Sequence, residues 1–404
     1  MTESNAATTS HHYPLLRRRD GHHARVTFEE LFFDLVYVFA VTQLSHELLT
    51  NLNLTGVIET LILWFAVWLG WQYTCWVTNW FDPETPRIRG LIFAVMLAGL
   101  LMASAIPGAF GERGLVFALA YVAVQVGRTA YIVWELGSDH PLSANYRRML
   151  GWVSMAAIFW ITGAFAEHEA RIALWASAVA CEYVSPMFGF ALPGLGRSKT
   201  SDWTIDGGHL AERCQLFVIV ALGETLLATG ATMARAEAWD VPILSALLAT
   251  FLGTLAMWWL YFGTSSKDAT DAIIHSDDPG RIGAYFHYIH AILVGGIIAT
   301  AVGNDLVLAH PHDGLKFAYA LTLSGGPAIY LFGSAVYRKV VYGVLPASHI
   351  AGVTALLALI PVAPSVDLLT MGWLTTIVML VTGFWEVRLV RKRREATKLQ
   401  TMTH

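Results

Sequence analysis

Three acidic residues, Glu29, Glu30 and Asp34, stand at the mouth of an apolar stretch running from Leu31 to Val41, just after the basic residues Arg17, Arg18, Arg19 and Arg25. A carboxylate inside a bilayer helix costs roughly 2.5–3.5 kcal/mol on insertion scales, so Asp34 must face protein or water. Glu30 and Asp34 are four residues apart and share a helical face. Two carboxylates so placed can share a proton or a cation, because like charges that close resist ionising together. Alternatively, each pairs with a nearby arginine and staples helices together.

Further polar residues lie within apolar stretches. His209, Glu212 and Arg213 open one such stretch, and Glu224 follows about three helical turns beyond Arg213 on nearly the same face, with Gly223 leaving room beside it. Gln125, Arg128 and Glu135 form a polar stripe. The depth of Arg128 predicts an ion-pair cluster with Asp34, Glu212 and Arg213. Glu182, Gln72 and Asn79 complete the set with His287 and His290, whose spacing allows a proton relay, half of a metal site, or hydrogen-bonded core histidines. Ser324-Gly-Gly-Pro327 is expected to break or kink its helix, either lining a cavity or allowing close packing. No His-Glu-x-x-His, Gly-x-Ser-x-Gly or P-loop pattern occurs, and no metal or cofactor site is expected.

The elements that must position these residues are membrane helices. The chain is 55% hydrophobic and 14% charged, with 15 Trp and a mean hydropathy of +0.51; an average soluble protein carries about 25% charged residues. Small net charge and short basic clusters argue against nucleic acid and for a lipid bilayer as partner. Stretches of about 20 apolar residues give about twelve spans, at 31–50, 56–80, 88–107, 114–135, 146–166, 169–191, 209–232, 240–263, 281–303, 314–337, 347–365 and 367–390. Lys and Arg collect on one side of these spans, including Lys267, Arg338 and the tail Arg391 to Arg394, which predicts cytoplasmic termini.

The fold class expected is an all-α polytopic bundle built from two parallel six-helix repeats. Glu30, Val36, Val38 and Leu44 recur as Glu212, Val218, Val220 and Leu226 at constant offset, and Trp71-x-Tyr73 recurs as Trp259-x-Tyr261. The boundaries are a disordered arm 1–25, a first repeat 26–191, a connector 192–208, a second repeat 209–390 and a basic tail 391–404. No secretory signal is visible. The arm reads as a solvated tail in which His11-His12 and His22-His23 could bind metal weakly, and Cys75, Cys181 and Cys214 read as reduced apolar fillers.

Three motifs carry a resemblance: Thr27-Phe-Glu-Glu-Leu-Phe-Phe-Asp-Leu-Val-Tyr-Val-Phe-Ala-Val-Thr-Gln-Leu-Ser45, Trp76-x-x-Asn79-x-Phe-Asp82, and His209-Leu-Ala-Glu-Arg-x-x-Leu-Phe-Val-Ile-Val-Ala-Leu-Gly-Glu224. From about Val26 to Arg391 the chain resembles the bacterial low temperature requirement protein A family. The resemblance implies a polytopic inner-membrane protein named for a growth phenotype in the cold, with no activity to transfer to particular residues. The functional expectation is an ion- or proton-linked transporter or channel. Its candidate sites are Glu30, Asp34, Glu212 and Glu224, with Arg128 and Arg213 as charge partners and Glu182, His209, His287 and His290 as secondary candidates. The alternatives are an enzyme acting on a lipid or lipid-linked substrate, and a non-catalytic membrane component.

Overall fold

A computed structural model describes residues 14–17, 24–200, 203, 205–236, 238–263 and 278–402, with side chains throughout except at Pro279 and beyond Lys392. The histidine pairs of the arm, Arg18, Arg19 and Lys267 lie outside the described residues. All named elements are helical. They are α1 Phe28–Thr50, α2 Leu54–Trp80, α3 Pro86–Ala105, α4 Gly114–Val122, a π-helical segment Ala123–Gly127, α5 Arg128–Leu136, α6 Ser143–Phe165 and α7 His168–Val184. There follow α8 Gly207–Arg235, α9 Val241–Phe262, α10 Pro279–Ala309, α11 Phe317–Leu323, α12 Gly325–Tyr342, α13 Ala347–Leu359, a 3-10 segment Ile360–Ser365 and α14 Leu368–Met402.

Among the described residues nine helices are long and apolar enough to cross a membrane, where about twelve spans were expected. The other three expected spans differ for local reasons. α1 has the length, but Asp34, Gln43, His46 and Glu47 dilute its apolar character. α7 stops at Val184 rather than near 191, because Pro186 follows and Gly189 and Phe190 turn the backbone through φ of 61° and 51°. The expected span 314–337 is divided at Ser324 between α11 and α12. Farther on, Pro361 and Pro364 convert the end of the expected span 347–365 into 3-10 helix.

Capping sets the start of the two helices that carry most of the candidate residues. At α1, the Thr27 side chain accepts from the Glu30 amide and the Glu30 carboxylate accepts from the Thr27 amide at 2.9 Å, a reciprocal capping box. At α8, Asp206 Oδ1 accepts from the His209 amide at 3.0 Å. Glu30 and His209 are therefore both held within the first turn of their helices.

The core of the bundle is aromatic. Trp68 and Trp71 stack against each other and against Phe217 of α8, all three fully buried. α10 is the most enclosed of the candidate spans, and it meets α12 at very short range. A Cβ on Gly326 would lie 2.7 Å from the Thr300 amide nitrogen, and one on Gly296 2.5 Å from that of Tyr330. Of the two glycines after the Ser324 break, Gly326 thus serves close helix packing, while a Cβ on Gly325 would meet nothing within 4 Å. A small cavity of about 20 Å³ lies beside it, lined by Thr300, Asn304, Leu323, Pro327 and residues of α9 and α14.

Part of the expected solvated arm is docked. Leu15 is buried, Leu16 bridges to Phe81, and the Arg17 amide donates to Trp80 O at 3.0 Å. Apolar burial of Leu15 and the ion pair of Arg17 described below supply the physical reason.

Candidate functional site

Glu30, Asp34, His209 and Arg213 meet in one buried cluster joining α1 to α8. Arg213 sits between the carboxylates, with Nη1 at 3.1 Å from Glu30 Oε1 and Nη2 at 2.6 Å from Asp34 Oδ1. The two acids therefore share an arginine. Its guanidinium lies 5.8 Å from the Phe33 ring centre and 5.9 Å from that of Trp71, so aromatic faces replace water around the charge. Trp71 Nε1 also donates to Asp34 Oδ1 at 2.7 Å.

A second arginine and a histidine complete the set. Arg17 Nη2 donates to Glu30 Oε2 at 2.8 Å while its Nε donates to Thr78 O at 2.6 Å. The Asn79 amide is fixed by Asp206, whose N–H donates to Oδ1 at 3.0 Å and whose carbonyl accepts from Nδ2 at 2.8 Å. Asn79 Nδ2 then faces His209 Nδ1 at 3.1 Å as a donor, so the His209 proton belongs on Nε2, which donates to Glu30 Oε1 at 2.8 Å. With His209 neutral, two guanidinium groups balance two carboxylates. One acceptor is left over: Asp34 Oδ2 is buried and has no partner among the described residues.

The other candidates lie apart from this cluster. Glu212 is half-buried, on a different face of α8 from Arg213. Glu224 is buried on the same helix farther along and accepts from Thr42 of α1 at 2.5 Å. It lines a cavity of about 60 Å³ with Ser45, His46, Arg235 and Asp305, room for a few waters or a small ion. His287 packs between the Trp71 and Trp76 rings and gives Nδ1 to Gly283 O at 2.9 Å, while its Nε2 has no partner among the described residues. His290 is bonded to Phe286 O and to the Tyr261 hydroxyl, so the two histidines form no relay with each other. Among the described residues no group of three or more His, Cys, Asp or Glu is placed to hold a metal. Cys75, Cys181 and Cys214 are free thiols.

Arg128 corrects an expectation. It is fully buried but bonds neutral groups, Gly70 O at 3.2 Å, Thr74 Oγ1 at 2.9 Å and Gln125 Oε1 at 2.5 Å. The helix that carries it packs on α6 and α3, and the π-helical segment before it on α2, rather than on α8, so it makes no ion pair with Asp34 or Glu212. Its thread continues through Gln125 Nε2 to the Tyr121 hydroxyl at 3.0 Å and from there to Glu182 Oε2 at 2.5 Å.

One network was not singled out from the sequence. Arg338 of α12 pairs directly with Glu386 of α14 at 2.7 Å, and Ser348 of α13 donates to the other carboxylate oxygen. His349 Nε2 lies 3.0 Å from Ser334 Oγ. Glu386 meets the criterion that selected Asp34, a carboxylate inside an apolar helix. Arg338 and Arg17 had been read only as markers of orientation.

Fold and site define an all-helical, multi-pass protein of a lipid bilayer with an ion-pair cluster at its centre. The chain belongs to the family described as Bacterial low temperature requirement A protein (LtrA), whose model matches residues 25–384. It is 39% identical over 389 residues to the Rhizobium meliloti (strain 1021) protein named "Uncharacterized protein RA0937", covering 95% of each chain. No solved structure matches it.

Proposed function

We propose that this protein is an ion- or proton-linked transporter or channel whose coupling site is the Glu30–Arg213–Asp34 cluster. The observation that carries this reading is Asp34 Oδ2, a fully buried carboxylate oxygen with no partner among the described residues, on a residue that joins α1 to α8. Burying an ionised group with a spare acceptor is costly unless something binds there, and a proton or small cation fits that position.

Two parallel six-helix repeats, 26–191 and 209–390, linked by the connector 192–208, supply the architecture. The same neighbours recur in both. α1 meets α2 and α3 as α8 meets α9 and α10; α3 meets α4 as α10 meets α11 and α12; α6 meets α5 and α7 as α13 meets α12 and α14; and α2 meets α7 as α9 meets α14. The fourth helix is interrupted in each, at Ala123–Gly127 and at Ser324. Counted this way there are twelve spans, and parallel duplication is one of the two ways secondary transporters are built. Thr42 and Glu224, which meet at 2.5 Å, stand 182 residues apart, the offset of the sequence repeat. The excess of Lys and Arg on one side of the spans supports cytoplasmic termini in a bacterial inner membrane.

The test is proton and cation flux in proteoliposomes under imposed pH and voltage gradients. Wild type is expected to conduct or exchange, with Asp34→Asn abolishing flux in protein that still folds. A wild type with no flux under any gradient, or an Asp34→Asn variant of undiminished flux, would overturn the reading.

A further inference from the structure

We infer that Arg128 and Glu182 form a second binding site, independent of the Asp34 cluster, which takes up a small monovalent anion at Arg128 together with a proton on Glu182. Arg128 is the starting point. Its buried guanidinium is surrounded by a carbonyl, a hydroxyl and an amide, and lies 5.7 Å from the Tyr73 ring centre. Among the described residues no carboxylate lies within ion-pair distance of it. A buried cation without an adjacent anion is far costlier than a matched pair.

Unused donors surround that charge. Among the described residues Arg128 Nε has no partner, and neither do the buried hydroxyls of Tyr37 and Tyr146, which interact electrostatically with the guanidinium; the Tyr37 hydroxyl also lies against Gly70, whose carbonyl Arg128 holds. One guanidinium N–H and two hydroxyls offer hydrogens and a positive field, the chemistry that holds a halide-sized anion. Native proteins rarely leave buried donors idle, so an idle guanidinium N–H on a cation with no carboxylate beside it points to a ligand.

The carboxylate at the other end supplies the proton. Tyr121 donates to Glu182 Oε2, Gln125 donates to the Tyr121 hydroxyl, and Gln125 Oε1 accepts from Arg128, so a continuous hydrogen-bonded thread links the two ionisable groups. Glu182 Oε1 makes no hydrogen bond of ordinary geometry among the described residues; the Trp160 indole N–H, likewise unbonded, is the donor that faces this carboxyl. The groups facing Glu182 are Tyr73 of α2, Tyr121 of α4, Arg128 of α5, Trp160 of α6, and Cys181 and Tyr183 on its own helix, with Tyr288 of α10 beyond Tyr73 and Tyr183. Arg128 is the cation among them.

Electroneutrality inside the bilayer then leaves two matched states. In one, Glu182 is ionised and compensates Arg128 along the thread. In the other, Glu182 is protonated and an external anion sits on Arg128. Anion and proton therefore bind together. The π-helical segment Ala123–Gly127 immediately precedes Arg128 and contains Gln125; such widened turns occur frequently at functional sites.

The experiment is chloride-dependent thermal unfolding of the purified full-length protein in detergent between pH 5 and 8, with gluconate as the replacement anion and proton uptake followed in weak buffer. Chloride is expected to raise Tm, with affinity strengthening up to about tenfold per pH unit where one proton accompanies one anion. Glu182→Gln should keep the chloride response and lose its pH dependence and proton uptake, while Arg128→Gln should lose the response altogether. If Arg128→Gln does not fold, Tyr37→Phe combined with Tyr146→Phe serves instead and should weaken chloride binding several-fold. A wild type indifferent to chloride at every pH, a response to sulfate alone, or an unchanged response in these variants would overturn the inference. Asp34→Asn should leave the chloride response intact, which separates this result from the fate of the coupling site proposed above.

Discussion

Away from the Glu30 cluster, two buried arginine–glutamate couples are built differently. Arg338 and Glu386 touch at 2.7 Å, with Ser348 filling the second carboxylate oxygen. Arg128 and Glu182 are held apart by Gln125 and Tyr121. On the proposed duplication both arginines belong to the fourth helix of their repeat and both glutamates to the sixth. The closed pair neutralises its own charges by direct contact and has the character of a structural clamp. The separated pair keeps unused donors and an unused acceptor, the property expected of a site that binds and releases.

The largest expected effect tests the clamp. Arg338→Ala strands the Glu386 carboxylate and should lower stability by about 3–5 kcal/mol, read as thermal unfolding in detergent. In saturating chloride, where the anion compensates Arg128 and Glu182 carries a proton, Glu182→Gln should stay within about 1 kcal/mol of wild type. Equal losses would erase the distinction between the two pairs.

The interrupted fourth helices give a second contrast. Gly326 lies against the α10 backbone, so Gly326→Val should cost about 1–3 kcal/mol through overpacking. A Cβ on Gly127 meets nothing within 4 Å, and Gly127→Ala should fall within about 1 kcal/mol of wild type. Denaturation midpoints of the two variants would show whether one interruption is packed tight and the other left open.

At the opposite end of the bundle, Arg171 gathers five carbonyls, those of Ala109, Gly111, Gly163, Ala164 and Ala166. Asp367 ties the corresponding loops of 209–390, pairing with His312 at 3.5 Å and bridging to Gly314. Arg171→Ala should cost roughly 1–2 kcal/mol, because the partly exposed carbonyls regain water, and should loosen hydrogen-exchange protection near Gly111 first. The smallest effect belongs to Asp367, whose carboxyl is held below the usual carboxylate range by the Thr370 hydroxyl and amide and by His312. A lowered folded-state pKa adds stability that is present above the unfolded value of about 3.9 and lost as pH falls through the folded value. The Tm difference between wild type and Asp367→Asn should therefore shrink on acidification below about pH 4. A difference that grew there would show that the carboxylate is not the stabilising form.

Much of the central cluster was legible because membrane burial makes each ionised residue conspicuous in an apolar stretch. Glu30, Asp34, His209 and Arg213 all stood out by that criterion, and all four meet. Arg17 did not, because a basic residue ahead of a span is ordinarily an orientation signal; only the docking of Leu15 and Leu16 brings it to Glu30. Glu212 stood out equally and lies elsewhere, since one step along a helix turns a side chain by about 100° and the choice between Glu212 and Arg213 depends on how α8 is rotated against α1.

Composition and hydropathy by themselves determined a helical membrane protein and which residues bear a charge too expensive to face lipid, and the three motifs carried the family. Tertiary structure decided which of those charges meet. Arg213 is shared by two acids because α8 lies along α1, whereas Arg128 is withheld from them because its helix packs on α3 and α6. Pairing depends on the rotation and neighbours of whole helices, set by packing of residues such as Trp68, Trp71, Phe217 and Gly326 that carry no charge at all.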